Sequence, residues 1–91
     1  MMTLSEAKEV LRIDASNTAN DDLIISLLGA IPSYIELTTG MPIEEQNSDG
    51  LAITVSGFLL KLWYFADHAE EQKLQRTIDN LLKCITLKAR A

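Results

Sequence analysis

Residues 51–66, LAITVSGFLLKLWYFA, decide the fold of this chain. Four of these sixteen residues are not apolar: Thr54, Ser56, Gly57 and Lys61. A helix that is apolar on every side lies either in a protein core or in a membrane. Such a helix rises about 24 Å, short of the ~30 Å hydrocarbon layer, and Lys61 would lie inside that layer. The stretch is therefore predicted to be a central helix that other parts of the protein cover.

The composition indicates a single helical domain over residues 1–91. A chain of 91 residues with 47% hydrophobic and 23% charged residues is typical of a small globular protein with one core. Two prolines and four glycines favour an all-α fold. The single Cys84 has no internal disulfide partner, which fits a reducing compartment. The first ten residues do not have the pattern of a secretory signal.

The N-terminal part is predicted to form a short capped helix followed by a polar connector. Thr3 and Glu6 have the spacing of a capping box, which predicts a helix over residues 4–11. Residues 12–20 are polar apart from Ile13 and a few alanines. Their side-chain oxygens alternate as in a calcium loop, but glycine and glutamate are missing where that loop requires them. Turn formation is therefore the preferred interpretation.

Three longer helices are predicted to follow. The second extends from about residue 20 to Gly40, whose left-handed conformation would end it. Pro32 lies inside this helix, and a kink or a break is expected there because proline lacks a backbone N–H. Residues 41–49 are predicted to be a loop, the central helix to cover about residues 50–66, and an amphipathic helix about residues 70–88. The expected fold is a small all-α bundle of four main helices.

The net charge of −5 is unevenly distributed along the chain. Residues 1–50 carry nine acidic and two basic side chains, whereas residues 51–91 carry four acidic and six basic ones. This split either lets the acidic end of one copy meet the basic end of another or is unrelated to association. A DNA-reading protein needs a basic patch, and the first half offers only Lys8 and Arg12. A helix-turn-helix regulator therefore fits poorly.

The sequence contains no pattern of catalytic or cofactor-binding residues. His68 is the only histidine, and no second histidine or cysteine lies at a metal-ligand spacing from it. No nucleophile is marked by an adjacent base, and no glycine-rich phosphate loop occurs. His68 is predicted to be a surface residue. The protein is expected not to be an enzyme and to hold neither a metal nor a cofactor.

Five residues are candidates for contacts between subunits. Trp63, Tyr64 and Phe65 are consecutive on a helix and point in different directions, so a domain this small cannot enclose all three. They either complete the core or anchor a contact with another subunit, as exposed Trp and Tyr often do. Arg12 and Asp14, in the polar connector, are predicted to pair either locally or across subunits.

Several short motifs occur in an informative order in the first two thirds of the chain. The run LSEAKEVLRID at residues 4–14 is followed by Asp21-Asp22, Tyr34-Ile35, Thr39-Gly40 and Trp63-Tyr64. In this order, residues 3 to about 66 resemble the small phage head–tail connector proteins. Two features depart from the family pattern. Pro32 lies where relatives have an uninterrupted helix. Residues 65–68, FADH, follow Trp63-Tyr64 where relatives often have a polar residue and then an arginine.

The resemblance implies a non-enzymatic structural protein of a phage or prophage. Such proteins assemble as a ring beneath the portal, extend the DNA channel and join the head to the tail. The implied partners are further copies of the chain, the portal protein and a neck or tail protein, while DNA passes without sequence-specific binding. The implied location is the virion head–tail junction, preceded by the host cytoplasm, with no role for a membrane. A small helical protein–protein adaptor remains the alternative.

Overall fold

Five helices make up the part of the chain that the computed structural model describes, which is residues 2–65 and 68–90, with the backbone alone for residues 68–71. They are α1 (Leu4–Leu11), α2 (Asp21–Thr39), α3 (Ile43–Gln46), α4 (Gly50–Tyr64) and α5 (His68–Arg90). The described residues contain no strand. The predicted small all-α bundle is confirmed, with α1, α2, α4 and α5 as its four main helices.

Helix α4 is the central helix, as predicted, and it packs against each of the other four helices. Helices α1 and α5 each pack against both α2 and α4, but no described residue of α1 contacts α5. The helices α1 and α5 therefore lie on opposite sides of the α2–α4 pair. The buried side chains of α4 are those of Ala52, Val55, Leu59 and Leu60.

The first helix begins at the predicted capping box. The backbone N–H of Glu6 donates to the Thr3 hydroxyl (3.2 Å), and the N–H of Thr3 donates to the Glu6 carboxylate (3.0 Å). These two hydrogen bonds, chiefly the one from the Thr3 backbone, lower the pKa of the Glu6 carboxyl. Ala7 and Leu11 are buried on the inner face of the helix. Two turns are marginal alone, so α1 depends on this packing.

Helix α2 passes through Pro32 without a break, so of the two predicted outcomes, a kink or a break, the break does not occur. It is continuous from Asp21 to Thr39 and ends at Gly40, which has the predicted left-handed conformation with φ 84°. Ile31 and Ile35, on either side of Pro32, are both buried in the core, as is the proline itself. Tertiary packing on both sides of the proline therefore holds the helix together despite the lost backbone donor.

The segment 41–49 is more ordered than the predicted loop because it contains α3. A helix of one turn is too short to produce a periodic sequence pattern, so the sequence does not reveal it. Gln46 is 6% exposed, and its Nε2 donates to the carbonyl oxygens of Pro32 (3.0 Å) and Met41 (3.1 Å). Met41 is also buried, at 2% exposed. The segment therefore covers one end of the core.

The two ends of the α4–α5 region differ from the predicted boundaries. Helix α4 ends at Tyr64 rather than at about residue 66, because Phe65 has an extended backbone (φ −94°, ψ 115°). Helix α5 begins at His68 and ends at Arg90, beyond the predicted 70–88. The helix is amphipathic, as predicted, with three apolar side chains fully buried or nearly so: Ile78, Leu82 and Ile85.

Candidate functional site

Lys8 is a buried lysine that fixes the connector between α1 and α2. Its side chain is 7% exposed, and Nζ donates to the carbonyl oxygens of Ala15 (3.3 Å) and Asn17 (3.0 Å). The same nitrogen lies 2.7 Å from Oδ1 of Asp21 in the first turn of α2. An ammonium has three donors, and three acceptors surround this one. Lys8 was not among the predicted contact residues, although it shares a helical face with Leu4 and Leu11.

Arg12 ends α1 in the left-handed conformation, with φ 59° and ψ 41°. Its N–H donates to the carbonyl of Glu9 (3.1 Å), and the N–H of Ile13 donates to the carbonyl of Lys8 (2.8 Å). These two bonds form a Schellman motif, in which glycine normally occupies the left-handed position. Ile13 packs against the core, whereas the Arg12 side chain is exposed. An arginine therefore lies at a position where glycine is the usual residue.

The carboxylate of Asp14 is used within the connector. Its Oδ1 accepts hydrogen bonds from the backbone N–H and the hydroxyl of Ser16, both at 3.0 Å. These bonds, the backbone one first, lower the pKa of the Asp14 carboxyl. Asn17 Oδ1 likewise accepts from the N–H of Ala19 at 3.1 Å. The turn interpretation of this segment is confirmed. Asp14 pairs locally, with Ser16, and local pairing was one of the two alternatives predicted for it.

The three consecutive aromatic residues have three different surroundings, as predicted. The ring of Trp63, half-buried, meets the ring of Tyr34 edge to face, with centroids 5.3 Å apart. The Tyr64 hydroxyl accepts a hydrogen bond from Asn20 Nδ2 (2.8 Å), which ties the end of α4 to the start of α2. Phe65 is 47% exposed, and its ring meets that of Tyr64 edge to face, with centroids 5.1 Å apart. All three rings therefore have a partner within the chain, and Phe65 is the most exposed of the three.

A groove of about 510 Å³ lies between α1 and α4. Its apolar surface comes from four residues: Met2, Val10, Ile53 and Phe58. Ile53 is 54% exposed, which is a high fraction for a large apolar side chain within a groove. Glu6 and Glu9 of α1 line the same groove, with Lys61 of α4 across from them. We call this feature the acidic groove.

The outer face of α5 is basic. Its residues recur every three or four positions and so lie on one face of the helix: Lys73, Arg76, Asn80, Lys83 and Leu87. All five are exposed, and Leu87 is 69% exposed. Asp79, beside this face, accepts a hydrogen bond from Gln75 Nε2 at 2.9 Å. We call these five residues the basic stripe.

Helix α2 exposes large apolar side chains on both sides of its buried face. Leu23, Ile25 and Leu37 are 50%, 53% and 87% exposed. Among the described helices, α2 alone has the length and composition of a membrane span, at 19 residues with a mean hydropathy of 1.2 over an 18-residue window. Its inner face nevertheless packs against α1, α4 and α5 in the core. We interpret α2 as a core helix whose exposed apolar side chains are not covered within one copy of the chain.

Neither a metal site nor a DNA-reading helix is evident in the described part of the chain. No group of three potential ligands among His, Cys, Asp and Glu comes together there. The prediction for the His68 side chain lies outside the described residues, and Cys84 is exposed. Helix α2, which would be the recognition helix of a helix-turn-helix, contains neither lysine nor arginine. A major-groove reader requires such side chains for phosphates and bases.

Comparison with known proteins identifies the family. A family model for phage gp6-like head-tail connector proteins matches residues 1–88, which extends beyond the motifs at residues 3–66 and includes α5. No curated protein and no solved structure matches the chain. The match covers nearly the whole chain, and the helical fold agrees with the expectation drawn from the sequence motifs. This chain therefore belongs to the phage gp6-like head-tail connector family.

Proposed function

We propose that this protein is a structural subunit that assembles as a ring beneath the portal, extends the DNA channel and joins the head to the tail. The observation that carries the proposal is the family match over residues 1–88. In this proposal residues 1–91 act as one helical domain without catalysis, metal or cofactor. The subunit occupies the head–tail junction of the virion and is in the host cytoplasm before assembly.

Uncovered apolar surface supports association with further copies and with other phage proteins. Leu37 and Leu87 are 87% and 69% exposed, and Ile53 is 54% exposed. These residues lie on α2, α5 and α4, so apolar surface is exposed on several sides of a single copy. Exposed apolar patches on a small domain are typical of protein–protein contacts. A ring subunit needs such surfaces for two neighbours, the portal protein and a neck or tail protein.

The charge of the chain suits a channel through which DNA moves. The net charge is −5, and acidic side chains dominate the first 50 residues. Acidic groups repel phosphates, so an acidic lumen lets DNA slide without binding it. Sequence-specific DNA binding would instead need a basic surface that neutralises phosphates. The charge therefore supports passage of DNA rather than recognition of DNA.

We keep Arg12, Asp14, Trp63, Tyr64 and Phe65 as proposed contact residues. Arg12 and Phe65 support this most directly, because both side chains are exposed. The hydrogen bond from Asn20 to Tyr64 places the connector next to the end of α4, so the two groups of residues belong to one region. Asp14 and the three aromatic residues already have partners within the chain, so any contact that they make between subunits is additional.

The test is assembly on the portal. Purified protein is mixed with purified portal rings, and the complexes are analysed by negative-stain microscopy and native mass spectrometry. We expect an additional coaxial ring with several copies of the chain on one side of the portal. In the phage that carries the gene, its deletion should leave DNA-filled heads and free tails that do not join. Normal tailed particles from the deletion strain would overturn the proposal. Binding of one isolated copy to the portal would instead favour the adaptor alternative.

A further inference from the structure

We propose that neighbouring subunits of the ring meet by seating the basic stripe of α5 from one copy in the acidic groove between α1 and α4 of the next. This inference rests on the proposed ring and names its contact. The occupant of the groove is a second copy of this chain. Four observations support it: the chemistry of the groove, the chemistry of the stripe, their relative positions, and the exposure of both surfaces in a single copy.

The acidic groove combines an apolar floor with acidic groups at its α1 side. Val10 and Phe58 are half-buried and Ile53 is 54% exposed, so the floor is accessible to an apolar side chain from outside. The volume of about 510 Å³ lies within the range of protein pockets that bind ligands. Glu6 and Glu9 are exposed along one side of this floor. The groove therefore suits an apolar side chain flanked by cations.

The acidic groove still favours a positively charged partner, although Lys61 also lines it. Lys61 lines the acidic groove, but it also lines a second cleft with Lys73 and Leu74 on the α5 side of α4. Phe58, part of the floor of the groove, lines that cleft as well, so the groove continues along α4 toward α5. On the side of α3 the groove is lined by Gln46 and Asn47, which carry no charge. The part of the groove nearest α1 is acidic, because Glu6 and Glu9 line it.

The basic stripe has the complementary pattern. Leu87 is a large apolar side chain that is 69% exposed, and Lys83 lies one helical turn before it on the same face. Arg76 continues the positive charge two turns further toward the N-terminus of α5. Leu87 can therefore enter the apolar floor while Lys83 and Arg76 face carboxylates such as that of Glu9. Opposite charges arranged in this way fix register and orientation between partners.

The positions of the two surfaces make the contact head-to-tail. Helices α1 and α5 lie on opposite sides of the α2–α4 pair, and among the described residues no Cα atom of one lies within 8 Å of a Cα atom of the other. Lys83 and Leu87 of the stripe border α2 and do not line the acidic groove of their own copy. Each copy offers a stripe on one side and a groove on the other, which is a heterologous arrangement. Such a contact, repeated, produces a ring when the rotation between copies closes.

Charge reversal and its rescue test the inference with the full chain. Glu9→Lys and Lys83→Glu are made singly and together, and assembly is measured by light scattering in solution and by ring formation on portal. Each single variant should weaken assembly about tenfold or more, because a like-charge pair replaces an attractive one. The double variant should restore assembly, since the pair is again attractive. Asp22→Lys, an equal change of charge on the exposed start of α2, serves as the matched control and should assemble normally.

The outcomes separate this contact from the proposed function. Circular dichroism first verifies that every variant is folded. If rings form and neither single reversal weakens them, or if the double variant remains as weak as the singles, the contact is wrong while the ring stands. If the wild-type chain forms no ring in solution or on the portal, the ring and this contact are both overturned. A Leu87→Ser variant adds a readout without charge and should also lower assembly.

Discussion

Lys8 and Asp21 form an ion pair across the connector between the first two helices, with Nζ of Lys8 2.7 Å from Oδ1 of Asp21. The side chains are 7% and 23% exposed, so the pair is largely removed from water. Two carbonyl oxygens, of Ala15 and Asn17, accept hydrogen bonds from the ammonium. One nitrogen atom therefore contacts two residues of the connector and the first turn of α2. These contacts fix α1 relative to the start of α2.

Replacing Lys8 with methionine should destabilise the fold strongly. Methionine keeps most of the aliphatic side chain, but it leaves the Asp21 carboxylate and two carbonyl oxygens without the ammonium. We expect a loss of about 2–4 kcal/mol in the free energy of unfolding, because breaking a buried pair leaves an uncompensated charge. The measurement is urea unfolding followed by circular dichroism.

The matched control for this variant is Lys83→Met on the exposed face of α5. It removes the same charge from a solvated position and should change the free energy of unfolding by no more than about 0.5 kcal/mol. Equal stability of the two variants would show that the buried ammonium contributes nothing specific.

Replacing Arg12 with glycine should stabilise the isolated chain while weakening assembly. Arg12 has φ 59°, which costs a residue with a Cβ but not glycine. We expect a gain of about 0.5–1 kcal/mol in the free energy of unfolding. If the exposed guanidinium contacts a neighbouring subunit or the portal, the same variant loses that contact. Thermal unfolding and assembly on portal rings measure the two effects separately.

Arg12→Ala is the control that separates backbone from side chain. It removes the guanidinium but keeps the Cβ, so it should show no gain in stability and the same loss of assembly as the glycine variant. A stable, fully assembling Arg12→Gly variant would remove Arg12 from the proposed contact residues.

Most of the fold could be predicted because it depends on patterns that extend over many residues. The apolar surface on every side of residues 51–66 identified the central helix. The apolar side chains of α5 likewise recur at helical spacing in the sequence. The sequence left open whether α2 kinks or breaks at Pro32, because a proline inside a helix can cause either. The helix is continuous because Ile31 and Ile35 pack in the core on either side of the proline, and that packing is a tertiary property.

The candidate surfaces were less predictable than the fold. Lys8 lies at helical spacing between Leu4 and Leu11, and this was the available signal for a buried lysine. Its partners are backbone carbonyl oxygens, whose positions depend on the path of the connector and not on residue type. The acidic groove depends likewise on how α1 lies on α4. The uneven charge along the chain was visible, but not that α1 and α5 lie on opposite sides of the bundle.

Replacing Trp63 and Phe65 should separate stability from assembly at the end of α4. Trp63 is half-buried and meets Tyr34 edge to face, so Trp63→Ala should cost about 2–3 kcal/mol. Phe65 is 47% exposed and caps the helix with an extended backbone, so Phe65→Ala should cost less than about 1 kcal/mol. If Phe65 is a contact residue, its variant assembles poorly despite its normal stability.

Trp63→Phe is the control for the aromatic pair and should retain most of the stability, because an edge-to-face contact with Tyr34 remains possible. Thermal unfolding of the three variants gives the order of stability. A Phe65→Ala variant that is stable and forms normal rings would count against Phe65 as a contact residue.

Replacing Asp49 with asparagine should reduce the sensitivity of the fold to acid. Asp49 caps α4 through the N–H of Ala52 (3.0 Å), and its other oxygen lies 2.5 Å from Nζ of Lys88. The bond from Lys88, followed by that from Ala52, lowers the pKa of the Asp49 carboxyl in the folded chain. A carboxyl whose pKa is lower in the folded than in the unfolded state stabilises the fold above its unfolded pKa of about 4. This contribution disappears as the pH falls through the folded pKa.

At pH 7 Asp49→Asn should therefore be less stable than the wild type by about 0.5–1 kcal/mol, a modest value because Lys88 is largely exposed. The difference should shrink as the pH is lowered from about 5 toward 2, since the wild-type carboxylate is then protonated. Glu6 and Asp14, whose pKa values are also lowered, keep some acid sensitivity in both proteins, so only the difference between the two curves reports on Asp49. Thermal unfolding at pH 7, 5 and 3 measures it. A difference that is the same at every pH would mean that the charge of Asp49 does not stabilise the α4–α5 pair and that its role is capping alone.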